Sequence, residues 1–168
     1  LVGGAAGPAG TPAHFASESL DVTEDGAVYR LQGSARLWQA NRLLLADDVV
    51  FRHADEVTVR AAGHVRTTLP ATEVGLDTAV GDVVVVARSL DYDERQGTAI
   101  YRGNVRYSDP EHTLAASELR LSFDEANEIT DVEAEGAVEM VILESGRRMT
   151  GQRAHRSVAE ELVTMTGS

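Results

Sequence analysis

The sequence predicts an all-β fold in which antiparallel hairpins stack side by side and bend at a common point into two facing sheets. Three observations carry this. Apolar and polar residues alternate with period two, a glycine recurs at one place in five similar segments, and no stretch reads better as helix than as strand.

The alternation is direct. Ala27, Tyr29 and Leu31 interleave with Val28, Arg30 and Gln32, and Val57, Val59 and Ala61 with Thr58, Arg60 and Ala62. Tyr101, Gly103, Val105 and Tyr107 interleave with Arg102, Asn104, Arg106 and Ser108. Arginine on one face and aliphatic or aromatic groups on the other mark a half-buried antiparallel strand. Val83 to Val86 is an unbroken apolar run, which predicts a strand covered on both faces. Residues 111–125 have the best helix propensity, through Ala115 to Leu119. Leu119, Leu121 and Phe123 at period two, followed by a polar turn, favour a strand there.

The glycines define the repeat. Gly33, Gly63, Gly103, Gly136 and Gly167 each follow a short strand, at spacings of 30, 40, 33 and 31 residues. Each strand is preceded by a turn, at 24–26, 54–56, 94–97, 125–128 and 159–161. Before each turn lies another strand, opened by a small residue and two polar ones, as in Ser17-Glu18-Ser19, Ala46-Asp47-Asp48, Ala87-Arg88-Ser89 and Ala116-Ser117-Glu118. Gly151-Gln152-Arg153-Ala154-His155-Arg156 is a poorer copy, with Arg156 at an apolar position. Glycine inside a strand marks a bulge or bend, and bends in register let a stack fold over. One unit cannot bury its own apolar face, so stacking supplies the core.

Residues 1–14 are mostly Gly, Ala and Pro and read as a flexible leader or linker, leaving 15–168 as a single β domain. The stretch Thr67 to Gly81, rich in Thr, Pro and Gly, reads as a long hairpin loop.

Composition excludes several functions. The chain has 168 residues, no cysteine and a net charge of −12, and all 15 of its basic residues are arginine. No disulfide, thiol chemistry or cysteine zinc site is possible. The acidity argues against a general nucleic-acid binder. No apolar run is long enough for a transmembrane helix, and a signal peptide is absent from this sequence. Asp47-Asp48 and Asp91 to Glu94 occupy polar repeat or turn positions, which outweighs a reading as catalytic carboxylates. The five histidines lack metal-ligand spacing, and no nucleophile or phosphate-loop motif occurs. No catalytic residue, metal or cofactor is expected. Arg102, Arg106 and Arg120 have the chemistry to touch lipid phosphates, but pairing with neighbouring Glu or solvation is the stronger expectation.

The repeat resembles that of the OstA-like, or organic-solvent-tolerance, superfamily, which includes the LptA-type lipopolysaccharide bridge proteins, LptC and the N-terminal domain of LptD. The matching stretches are Ser19 to Val22, a turn, Val28 to Ala35, then Leu43 to Val49, with a second strand opening at Leu114 to Leu119. The resemblance spans about 15–168. It implies a folded-over twisted antiparallel β-jellyroll (a β-taco) with an apolar groove. The implied function is a non-enzymatic periplasmic carrier that shields lipopolysaccharide acyl chains and passes them towards the outer membrane. The implied partners are lipopolysaccharide and LptC-like or LptD-like jellyrolls, or further copies of this chain, joined through open edge strands.

Inward parity within the repeat then nominates groove-facing residues. They are Leu20, Val22, Tyr29, Leu31, Leu37, Leu45, Val49, Phe51, Val59, Val65, Leu90, Tyr92, Tyr101, Val105, Leu119, Leu121, Phe123, Val132, Val138, Met140 and Ile142. Ala35, Ala61 and Ala134 would leave room between them. A chain of a dozen carbons gains about 8–10 kcal/mol on leaving water, from the value per CH₂. The alternatives are an LptC-like or LptD-N-terminal-like module, a ligand-free structural β-solenoid, and a polysaccharide-active β-helix with clustered Asp or Arg on one exposed face.

Overall fold

The computed structural model describes residues 2–6, 12–23, 25–70, 81–126, 128–158 and 162–167. Among these, the strands are β1 (Val2–Ala6), β2 (Pro12–Ala16), β3 (Ser19–Thr23), β4 (Val28–Gln39), β5 (Arg42–His53), β6 (Val57–Pro70), β7 (Asp82–Asp93), β8 (Thr98–Ser108), β9 (His112–Phe123), β10 (Ile129–Ile142), β11 (Arg147–Ser157) and β12 (Leu162–Thr166). They form one open 12-stranded sheet in the order β1-β2-β4-β5-β6-β7-β8-β9-β10-β11-β12, with β3 also paired to β4. Every pairing is antiparallel and, from β4 onward, joins neighbours in sequence, as stacked hairpins require. Residues 112–123 are strand, as the period-two pattern predicts.

The long strands bend at the repeat glycines. Gly33, Gly63, Gly103 and Gly136 have φ of 75°, 74°, 84° and 81°, and the residues after them, Ser34, His64, Asn104 and Ala137, have φ of 50°, 47°, 50° and 50°. The ladder shows the consequence. Pairing passes from Arg102↔Glu118 to Val105↔Ala116, so Gly103 and Asn104 face Ser117 alone. Two residues opposite one is a bulge, which sharpens the local bend. Glycine is needed for space as well as φ: a Cβ at Gly136 would lie 2.6 Å from Ser117 Oγ, and one at Gly103 would lie 2.9 Å from Arg88 Cβ. These crowding residues are the first polar residue of the repeat in the preceding strand. The small-polar-polar signature and the glycine are thus two sides of one corner.

The corners divide the ladder into two half-sheets. The first holds the strand segments before each glycine with their partners; the second holds those after it. Across a corner, inward residues step by four on glycine-bearing strands: Leu31 to Ala35, Ala61 to Val65, Tyr101 to Val105, Ala134 to Val138. On the intervening strands they step by three: Ala46 to Val49, Ala87 to Leu90, Ala116 to Leu119. The centre is closely packed, with Leu31, Val65, Leu119 and Leu121 wholly buried, each contributing about 1.5–3 kcal/mol by leaving water.

Three expectations change. Residues 2–6 and 12–16 are paired strands, so pairing extends into the expected leader of 1–14, and β2 continues the second half-sheet through His14↔Trp38 and Phe15↔Leu37. Main-chain hydrogen bonding at an open edge requires no side-chain periodicity, so Gly/Ala composition hid them. Thr67 to Pro70 are strand rather than loop, paired to Asp82 to Val85; 71–80 lie outside the described residues. Val83 and Val85 are buried, but Val86 is 36% exposed on the outer face, so the valine run is covered on one side only.

Candidate functional site

The interior between the half-sheets has a seam where the strand ends approach one another, opposite the corners. Along β4 to β9 this seam encloses a cavity of about 130 Å³. Leu37, Trp38, Leu44 and Leu69 bound it from the second half-sheet, and Tyr92 and Phe123 from the first. Engineered apolar cavities of about 150 Å³ admit benzene, so this one admits a short length of hydrocarbon as it stands. Longer chains require the half-sheets to part.

The lining is apolar with few polar groups. Tyr101 is 2% exposed, and burial pushes its hydroxyl up to about 12. Thr67 lies beside it, and its buried Oγ1 makes no well-formed hydrogen bond. Burial also raises Tyr92, reinforced by the Glu94 charge and opposed by Arg42 across the seam. Phe15, Tyr29 and Phe51 pack in a row with tilted rings, centroids 5.2 and 5.8 Å apart, at the N-terminal end of the interior.

Along β8 to β12 the same seam is nearly filled, with a void of only about 20 Å³. Asp109 follows the second-half-sheet segment of β8, and its side chain is 1% exposed. It accepts hydrogen bonds from the Tyr107 hydroxyl at 2.8 Å and the backbone N–H groups of Glu111 at 2.7 Å and His112 at 2.6 Å. His112 Nδ1 lies 3.3 Å away. Arg156, from the first half-sheet, places Nη1 4.0 Å from the carboxylate. The pair crosses the seam and explains the arginine at an apolar repeat position: Arg156 is opposite inward-facing Val132 and is neutralised inside. Burial alone would raise the Asp109 carboxyl, but its hydrogen bonds from His112, Glu111 and Tyr107 outweigh that and hold it below the usual carboxylate range.

Most nominated groove residues face this interior. Leu31, Val49, Phe51, Val59, Val65, Leu90, Tyr101, Val105, Leu119, Leu121, Val132, Val138 and Met140 are buried in it. Leu20, Tyr29, Leu37, Tyr92 and Phe123 pack on its margin, and Ile142 is half-buried. Val22 is opposite Tyr29 but 49% exposed, because β3 is an edge. Leu45 is a correction: it lies on the outer face, and Leu44 and Ala46 face inward. The three-residue step at the Asp47-Asp48 corner reverses the parity, and the Leu43 to Leu45 run has no alternation to reveal it. Leu44, Thr67 and Leu69 were missed, and the strand alternation continuing past Val65 was the available signal for the last two; Trp38 borders the cavity mouth from the outward row, where it stacks on His14.

The discounted polar residues lie outside. Arg102 pairs with Asp91 at 2.8 Å and Glu118 at 2.9 Å, and His64 meets Asp47 at 2.9 Å, all on the surface, where such pairs contribute little. Among the described residues no group of three His, Asp or Glu is placed to hold a metal ion.

The family model for the LptA/(LptD N-terminal domain) LPS transport protein matches residues 84–168. Among solved structures, the chain is similar to LptH, titled the LptA homologous periplasmic component of the conserved lipopolysaccharide transport device from Pseudomonas aeruginosa. The TM-score is 0.64 at 15% identity, covering 79% of this chain and 95% of that one, a likeness of fold. No curated protein sequence matches the chain.

Proposed function

The chain belongs to the LptA/(LptD N-terminal domain) family of lipopolysaccharide transport proteins, and from that premise we propose that it is a non-enzymatic periplasmic carrier that shields acyl chains between its half-sheets. The observation that supports this best is the apolar cavity opening along the β4 to β9 seam. A ligand-free scaffold would gain nothing from leaving that space unfilled, since each unfilled methyl-sized gap costs about 1 kcal/mol. Desolvation at about 0.8 kcal/mol per CH₂ supplies the affinity. The net charge of −12 means that headgroup attraction to the molecule as a whole cannot.

Transfer between proteins would use the open ends of the ladder. Among the described residues, the outward edges of β1, β3 and β12 offer unpaired N–H and C=O groups, suited to pairing with an LptC-like or LptD-like jellyroll or with another copy. The family model covers both the bridge protein and the LptD module, and the same edges serve either.

Photo-crosslinkers at Phe51, Tyr92 and Tyr101, with Leu45 and Arg102 as outward controls, test the carrier. Lipopolysaccharide adducts are expected from the first three only, and adducts confined to the outward pair would overturn the groove. For the edges, Val163→Pro in β12 should weaken head-to-tail assembly in light scattering while leaving the monomer folded.

A further inference from the structure

The outer walls of the two half-sheets are chemically unlike. On the first, cations and carboxylates interleave. Arg60 lies 3.5 Å from Asp91, Arg102 bridges Asp91 and Glu118, and Arg153 meets Glu135 at 3.1 Å. Arg30 is directly opposite Asp21, and Arg120 directly opposite Glu133. On the second, one row of cross-strand neighbours runs Ala16↔Arg36↔Leu45↔Arg66↔Val86↔Arg106↔Ala115. Arginine comes from β4, β6 and β8 and an apolar residue from each strand between or beside them; on β10 the same row ends in Glu139. All three arginines are exposed, and none meets a carboxylate within ion-pair range among the described residues. The acids nearest this row are Glu18 and Asp47 at the corner, two residues from Ala16 and Leu45 and held by Ser34 at 3.3 Å and His64 at 2.9 Å, then Glu139, one strand beyond Ala115 and paired to Arg148, and Asp82, four residues along β7 from Val86.

We propose that this Arg-aliphatic row, Arg36, Arg66 and Arg106 with Leu45 and Val86, docks on an anionic phospholipid bilayer surface. The charge complementarity is local. Strands about 4.8 Å apart put successive arginines about 10 Å apart, a spacing commensurate with neighbouring headgroups. The aliphatic side chains between them meet the headgroup–acyl boundary. Guanidinium groups grip phosphate by paired hydrogen bonds. A Debye length of about 8 Å screens the acids of the opposite wall, which lie across both layers of the fold. The acidic wall of a second copy is a poorer partner, because its carboxylates already have arginines beside them. Sheet twist turns the row as it runs, so two neighbouring arginines meet a flat bilayer at once, and Arg66 belongs to either pair. This contact uses the outside of the fold and does not rest on the acyl groove.

The test is cosedimentation of the full chain with phosphatidylcholine vesicles containing or lacking 30% phosphatidylglycerol, in low and high salt. Binding is expected only to the anionic vesicles and should fall in high salt. At about five-fold per arginine at an anionic surface, R36Q/R66Q/R106Q should weaken it about 25-fold. Arg66→Gln alone should cost about five-fold, more than either single neighbour. R30Q/R60Q/R120Q, with the same change in net charge, should bind as the parent does. No binding by the parent chain, equal binding to neutral vesicles, or equal loss in both triple variants would overturn the proposal. So would a change in self-association without loss of vesicle binding.

Discussion

Along β4 to β9 the seam between the half-sheets is bounded by Leu37, Trp38, Tyr92 and Phe123 and encloses space. Along β8 to β12 the same seam is crossed by Arg156 and Asp109 and is nearly filled. Both regions come from one repeat, so the strand ladder alone does not decide whether the fold is open or shut. What differs is the residue at the margin. The first end is bordered mainly by aromatic and aliphatic groups. A buried carboxylate at the second end requires donors: it takes hydrogen bonds from Tyr107, Glu111 and His112, and Arg156 of the first half-sheet adds an opposite charge at 4.0 Å.

Removing the carboxylate gives the largest expected effect. Asp109→Ala leaves Arg156 buried without its anion, and the Tyr107 hydroxyl and two backbone N–H groups without an acceptor. It should cost about 3–5 kcal/mol in urea unfolding. A loss below about 1 kcal/mol would mean that this seam is held by its apolar contacts. The same group sets an acid limit. Its folded pKa lies below its unfolded value, so its contribution is complete above the unfolded pKa and is lost as pH falls through the folded one. Asp109→Asn should flatten that part of the stability–pH curve.

The open seam makes a matching alkaline prediction. Burial pushes the Tyr101 hydroxyl up to about 12 in the folded chain, against the ordinary tyrosine value of 10.0 when unfolded. Stability is therefore unaffected below the unfolded value and declines as pH rises through the folded one, by about 2–3 kcal/mol at 1.36 kcal/mol per unit. Ultraviolet titration of the phenolate checks this. Ionisation of Tyr101 near its unfolded value would mean that the cavity is wet.

Truncations compare the open seam with the packed centre. Leu44→Ala borders existing space and should cost about 2 kcal/mol, whereas Leu119→Ala empties a closed site and should cost about 3–4 kcal/mol. Equal losses would show that the cavity margin is as rigid as the centre. The smallest effect is Thr67→Val, which removes a buried hydroxyl without a well-formed hydrogen bond and should stabilise by about 1 kcal/mol. It should also leave acyl-chain uptake intact.

Much of this architecture was legible in the residues. Period-two alternation located β4, β6, β8 and β9, and four of the five repeat glycines, Gly33, Gly63, Gly103 and Gly136, located the corners. Alternation failed where composition carried none, in the Gly/Ala stretch that forms β1 and β2 and in the Leu43 to Leu45 run. It also could not supply the phase across a corner. A two-against-one bulge advances inward parity by four residues on one strand and three on its neighbour, which is why Leu45 was placed inside and Leu44 was missed.

Sequence by itself determined the all-β class, the hairpin repeat, the bend points and most inward side chains, because these follow from local sterics and a side-chain period of two. Only the tertiary structure decided where the interior is open. That depends on residues far apart in sequence meeting across the seam: Asp109 with Arg156 at one end, Leu37 and Leu44 facing Tyr92 and Phe123 at the other. It likewise decided that Arg36, Arg66 and Arg106 share one wall while Arg102 is spent on carboxylates. Which strands lie side by side, and in what register, sets the charge that each arginine meets.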